Sequence, residues 1–170
     1  MHIDPTGHCS YLASIHTKKQ DCGSFKCPES SSYNPDVIDL TDELNRAMIR
    51  HAIELHNIAE IFGSGAAIYF ALKSRKGSEW DLKDKGGWDL DSTKQYCYGD
   101  ILLREDDIGN IHYGFVGRTL FSLDLLLFAA GIVQIWDKSS SWSYWDSNFD
   151  EPRDQWAIRF GYNLWDEGLK

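Results

Sequence analysis

From residue 41 the chain repeats apolar side chains at helical spacing. Leu44, Met48, Ala52, Leu55, Ala59 and Phe62 fall on one stripe, and Ile49 and Ile53 widen it. Thr41 ahead of the stripe reads as an N-cap, with Asp42 and Glu43 in the first turn, where carboxylates suit the helix dipole. Gly63-Ser64-Gly65 closes this helix, and a shorter one is predicted over 66–75. Residues 78–94 read as loop or extended chain, with a short internal echo of Trp80-Asp81-Leu82-Lys83 in Trp88-Asp89-Leu90-Asp91. Two strand-like runs, 96–104 and 111–116, flank the turn formers of Glu105-Asp106-Asp107-Ile108-Gly109-Asn110, which predicts a β-hairpin. Ser122 can cap a helix over 123–136 that is apolar nearly all round and therefore buried. A Ser/Trp loop covers 138–149. Asp150 then caps a last helix, with Glu151 and Pro152 in its first turn and Trp156, Phe160 and Leu164 along one face, Trp165 adjacent. The pattern predicts an α+β fold, mostly helical, with three to four helices around one small β-hairpin or sheet. Residues 1–36 lack such periodicity and read as an irregular lead-in to a domain over 37–170.

Composition narrows the class. At 170 residues, with 42% hydrophobic and 25% charged side chains, the chain has apolar mass for one real core, which excludes wholesale disorder. Lys plus Arg number 17 against 26 Asp plus Glu, a formal charge of −9 that argues against a protein living on phosphate contacts. A local basic cleft can still coexist with an acidic exterior. The apolar stretch over 120–136 is interrupted by Ser122, Asp124 and Gln134 and falls short of the roughly 20 residues of a membrane span, so no stable membrane insertion is expected. The opening Met1-His2-Ile3-Asp4-Pro5 has neither the basic start nor the apolar run of a signal peptide. Cys9, Cys22, Cys27 and Cys97 permit three disulfide pairings, or a metal site with His8 or His16, but their spacing matches no recognised zinc module. No metal and no other cofactor is expected. His51 and His56, five apart, miss the spacing of a helical metal pair and read as surface or core residues.

Two stretches carry a resemblance. Ile3-Asp4-Pro5-Thr6-Gly7-His8 resembles the Asp-Pro-x-Gly element that ends the shell of Rhs/YD-repeat proteins, just before their variable C-terminal toxin. Phe70-Ala71-Leu72-Lys73 through Trp80-Asp81-Leu82-Lys83, then Asp107-Ile108-Gly109-Asn110-Ile111-His112-Tyr113-Gly114, resembles the bacterial polymorphic toxin type 44 family. Ala130-Gly131 with Gln134, and Asp150, Pro152, Asp154 and Gln155, continue the pattern in order. A departure is that the family often shows Gly-Pro before Trp-Asp, whereas Ser78-Glu79 precedes Trp80 here. The resemblance implies a C-terminal toxic effector domain, secreted on or injected with an Rhs/YD-repeat carrier shell. It further implies a cognate immunity protein as partner and action in the target's periplasm or cytoplasm.

The candidate chemistry gathers in the same segments. Asp106 and Asp107, Asn110, His112 and Tyr113 crowd the predicted hairpin, where His112 can act as general acid or base and Asn110 can donate to a developing oxyanion. The plain alternative makes Asp107 and Asn110 turn formers and His112 a half-buried strand residue. Asp81 and Lys83 offer a carboxylate and a cation, and Trp80 a stacking plane or simply a loop anchor. Asp81, Asp107 and Asp154 come from three segments that folding could converge, as glycoside hydrolysis requires of its two carboxylates. The expected site is therefore Asp107, His112, Asn110, Asp81 and Lys83 for catalysis, with Trp80, Tyr113 and Asp154 for substrate binding. The leading expectation is a hydrolase attacking cell-wall peptidoglycan, because the acidic balance and seven Trp suit a glycan substrate better than RNA. The alternatives are a metal-independent ribonuclease using His112, Lys83 and Asp107, and a non-catalytic pore-forming or binding domain.

Overall fold

The computed structural model describes residues 2–3, 9–10, 27, 36–83, 88, 90–136 and 152–169. Five strands and five helices occur among them. Strands β1 (His2–Ile3) and β2 (Cys9–Ser10) pair antiparallel. Strand β3 (Val37–Asp39) leads into α1 (Thr41–Phe62), followed by α2 (Gly65–Ser74), β4 (Gln95–Tyr98), β5 (Ile101–Leu103), α3 (Glu105–Gly117), α4 (Leu123–Trp136) and α5 (Pro152–Glu167). The fold is α+β and mostly helical, as the patterning predicts.

Thr41 is the first residue of α1 rather than its cap. Its backbone N–H donates to the Asp39 carboxylate at 2.9 Å, and its hydroxyl accepts the Gly99 N–H at 2.8 Å. One polar residue thus starts the helix and fastens it to the sheet. Gly63, with φ of 54°, ends α1 in the left-handed region that a side chain disfavours. The buried stripe of α1 is Leu44, Ala47, Met48, His51, Ala52 and Leu55. Ile49, Ile53 and Phe62 stay exposed, so the inward face is rotated from the one the spacing suggests.

The sheet runs β3-β4-β5, with β3 parallel to β4 and β5 antiparallel to it. The predicted strand over 96–104 is itself the hairpin: Tyr98 pairs with Ile101 across Gly99-Asp100, and Gly99 takes φ of 59°. Cys97 forms a disulfide with Cys27, and the Cys27 N–H donates to Asp100 O at 2.9 Å, so residue 27 is held on the sheet. Cys22 lies outside the described residues.

The second predicted strand, 111–116, is a correction. It lies inside α3, which starts at Glu105. Arg104 is extended and its backbone N–H donates to the Asp107 carboxylate at 2.7 Å, so the acidic cluster caps and charges a helix start instead of turning a hairpin. Ile108, Ile111 and Phe115 then face the core on one side of α3. Helices α3 and α5 cross closely at Gly114 and Gly161. In α4, Leu126 and Leu127 are buried while Leu125 and Phe128 are exposed, so this helix is not buried all round. No helix among the described residues is long and apolar enough to cross a membrane. Asp150 and Glu151, expected to start α5, and the Ser/Trp loop lie outside the described residues.

Candidate active site

The loop that carries Trp80, Asp81 and Lys83 contributes to two polar clusters. Trp80 follows α2 in a tight loop in which its N–H donates to Lys73 O at 3.1 Å and the Asp81 N–H to Ser78 O at 3.1 Å. The indole is buried among Tyr69, Phe70, His51 and His112, as a loop anchor would be.

The first cluster is a histidine pair. His51 belongs to the inward stripe of α1 and His112 to the inward face of α3, and both are buried. His51 Nδ1 and His112 Nε2 are 2.7 Å apart, and the Trp80 ring stacks on His51 at 4.8 Å. Arg50 Nη2 reaches His51 Nε2 at 3.2 Å. Burial, then the Arg50 charge, pushes the His51 pKa down to about 4 against the opposing pull of Glu54 and Glu79. Burial, then the fields of His51 and Arg50, pushes His112 down to about 3. Both rings are neutral near pH 7. Nearer the surface, Lys73 binds the Glu79 carboxylate and lies 3.7 Å from Glu54, whose carboxylate accepts the Tyr69 hydroxyl. The Lys73 ammonium also stands 5.8 Å from the centre of the Trp80 ring.

In the second cluster, Lys83 Nζ donates to Asp106 at 2.7 Å. Burial alone would lower the Lys83 pKa. The Asp106 hydrogen bond and the fields of Asp106, Asp81 and Asp154 outweigh it and hold the ammonium above its ordinary value. Those three carboxylates come from the Trp80 loop, the start of α3 and the start of α5. Asp81 is nearly buried, and its carboxylate also accepts the Gly77 N–H at 2.9 Å. Asn110, half-buried, follows Asp106 by one helical turn.

The expected site residues therefore separate. Trp80 and His112 meet at the histidine pair; Lys83 pairs with Asp106, and the charges of Asp81 and Asp154 act on the same ammonium. Asp107 turns inward, fully buried, where Arg153 Nε donates to it at 2.7 Å and a second guanidinium nitrogen completes a bidentate pair. Tyr113 packs on Phe70 at 5.1 Å and donates its hydroxyl to Leu126 O at 3.3 Å. His51, read as a surface or core residue, and Asp106, read as part of the crowded turn, carry the two clusters without standing in the expected site. For His51 the signal was its place between Met48 and Leu55 on the apolar stripe, where a histidine needs a partner. Among the described residues no three His, Cys, Asp or Glu side chains are placed to share a metal ion.

Residues 69–167 match the family model described as bacterial toxin 44. The chain belongs to that family. Neither a curated protein nor a solved structure matches it. Membership makes this a toxin domain, and in general such toxins are delivered to target cells and have an immunity protein as partner. Every member of the Lys83 cluster lies inside the matched segment, whereas His51 and Arg50 of the toxin lie outside it.

Proposed function

We propose that the chain is the C-terminal effector domain of an Rhs-type polymorphic toxin and that it hydrolyses the glycan of cell-wall peptidoglycan. The observation that carries this reading is the Lys83–Asp106 ion pair, with Asp81 and Asp154 adding their negative field at the same ammonium. Glycoside hydrolysis needs one carboxyl group to protonate the leaving oxygen and a second to act as base or nucleophile. Asp106, ion-paired with Lys83, serves as the base or nucleophile, and Asp81 or Asp154 as the acid. The Asn110 amide, one turn from Asp106, is suited to hydrogen-bond a sugar hydroxyl. The Cys27–Cys97 disulfide supports action in an oxidising compartment such as the periplasm.

The test is digestion of purified sacculi by the full chain. Soluble muropeptides are expected, with Asp106→Asn and Asp154→Asn at least about a hundredfold slower, the scale of an acid–base contribution. Periplasmic export of the toxin should lyse cells, and a protein encoded beside the carrier should rescue them. Intact sacculi alongside cleaved tRNA or rRNA would overturn the glycan reading. The ribonuclease reading rests on a separate observation, the hydrogen-bonded chain Arg50–His51–His112, which sets an unprotonated imidazole nitrogen beside a cation. In that case His51→Gln, not Asp106→Asn, removes RNA cleavage.

A further inference from the structure

Helices α3 and α5 run in the same direction. Arg153 Nε donates to the Asp107 carboxylate at 2.7 Å near their starts, Trp165 Nε1 donates to Phe115 O at 2.8 Å further along, and Arg118 pairs with Asp166 at their ends. The positive ends of the two helix dipoles therefore sit together, and Asp106, Asp107 and Asp154 fall in the first turns there.

Between the ends the two backbones approach at Gly114 and Gly161. One crossing point sets how far apart two helices lie but leaves them free to pivot, so the spacing of their starts needs a second tie. The Asp107–Arg153 pair is that tie. Arg153 Nε and Nη2 each bind one oxygen of the Asp107 carboxylate, which is fully buried and also accepts the Arg104 N–H at 2.7 Å. A planar guanidinium on a carboxylate fixes direction as well as distance. Arg118 holds Asp166 in the same two-pronged way at the far end, but there the carboxylate side chain is 70% exposed and water weakens the pair.

The residue before Asp107 and the residue after Arg153 both belong to the Lys83 cluster. Asp106 accepts the Lys83 ammonium at 2.7 Å, and Asp81 of the Trp80 loop and Asp154 of α5 act on that same charge.

We propose that Arg153 is the positioning residue of the Lys83 cluster: its fork on Asp107 fixes the start of α5 against the start of α3 and so keeps Asp154 in place beside the Asp106–Lys83 pair. The inference rests on the glycan reading only in taking that cluster as the working site.

The experiment is competitive labelling of the lysines of the full chain with trace acetic anhydride at about pH 8, with exposed Lys76 as internal reference and peptide mass spectrometry as readout. The reagent takes only the unprotonated amine, so the rate at Lys83 reports how strongly its neighbours hold the proton. Asp154→Asn should speed labelling of Lys83 about threefold, roughly half a pH unit in the proton equilibrium. Arg153→Lys keeps the charge and loses the fork. It should speed Lys83 in the same way, and added to Asp154→Asn it should bring no further gain. Asp107→Glu, one methylene longer, also keeps both charges and should give the same result where Arg153→Lys fails to fold. Arg118→Lys, at the opposite end of the same helices, should leave Lys83 at the parent rate. On sacculi, Arg153→Lys should lower the maximal rate about tenfold or more without changing the half-saturating amount, as a displaced reacting group does. Sacculi left intact by the parent overturn the glycan reading, and the labelling then decides the positioning role by itself. Parent-like labelling of Lys83 in folded Arg153→Lys or Asp107→Glu would overturn the proposal. So would additive gains from Arg153→Lys and Asp154→Asn, or an equal gain in Arg118→Lys, which would mark a general loosening of the helices.

Discussion

Gly114 of α3 and Gly161 of α5 occupy reciprocal places in one helix crossing. A Cβ on Gly114 would stand 2.1 Å from the backbone oxygen of Ile158, and a Cβ on Gly161 would stand 1.9 Å from that of Ile111. In each case the clashing residue lies three positions before the other glycine. The two backbones touch because neither helix has a side chain at its crossing point.

Gly114→Ala and Gly161→Ala should therefore each destabilise the fold even though alanine is the better helix former. The obstacle is backbone, which cannot rotate away as a side chain can, so the cost is expected at or above the usual ~1–3 kcal/mol of overpacking. Urea denaturation with an unchanged slope and a lowered midpoint would register it. A gain in stability at either position would show that the helices separate at no cost.

Asp107→Ala should unfold the domain rather than disable its chemistry. The carboxylate is fully buried, pairs with Arg153 and accepts the Arg104 N–H at the start of α3. Each hydrogen bond to a charged group lost with that carboxylate costs about 1.5–3 kcal/mol. Asp106→Asn breaks only the rim pair with Lys83, worth roughly 0–1 kcal/mol, and its melting temperature should stay near that of the parent. Parallel thermal melts separate the two neighbours.

Acid should weaken the fold through His51 and His112. Their native pKa values, about 4 and about 3, lie below the ordinary 6.5. At pH 7 the native rings are neutral and the unfolded ones are mostly so, and little is lost there. Below about pH 6.5 the unfolded rings protonate and the native ones do not, and stability falls by about 1.4 kcal/mol per pH unit for each ring. The loss runs down to the native values. His112→Gln should flatten the slope of stability against pH between 6 and 4, which urea midpoints at several pH values would measure.

Helices α1 and α5 were legible in the sequence because each carries an apolar stripe at the helical period, α2 because it follows the Gly63-Ser64-Gly65 break, and α4 because Ser122 precedes an apolar run. Helix α3 was not. Gly109, Asn110, Gly114 and Gly117 each lower helix propensity, and an Asp-Asp-x-Gly-Asn run has the composition of a turn. What makes it a helix is tertiary: the α5 backbone fills the space that Gly114 leaves. The same misreading displaced part of the site. In a helix, neighbouring residues point about 100° apart, so Asp106 faces Lys83 while Asp107 faces Arg153 and the core. Trp80, His112, Asp81, Lys83 and Asp154 all stand in one or other polar cluster. His51 reads as a surface or core residue, and its partner stayed hidden because His112 lies in the segment that reads as a strand.

The parallel register of β3 on β4 bears on the order in which the chain assembles. Val37 finds Gln95 only after α1, α2 and the Trp80 loop have been laid down between them. Closing so long a loop is opposed by chain entropy until the ladder and the Leu40–Cys97 hydrogen bond are in place. The α1–α2 hairpin and the β4–β5 turn need only local contacts and can form early; the seam between β3 and β4 closes after them. A chain that enters a new compartment unfolded would thus have its helices before its sheet, and thiol oxidation at Cys97 would fix a docking event that comes late in folding.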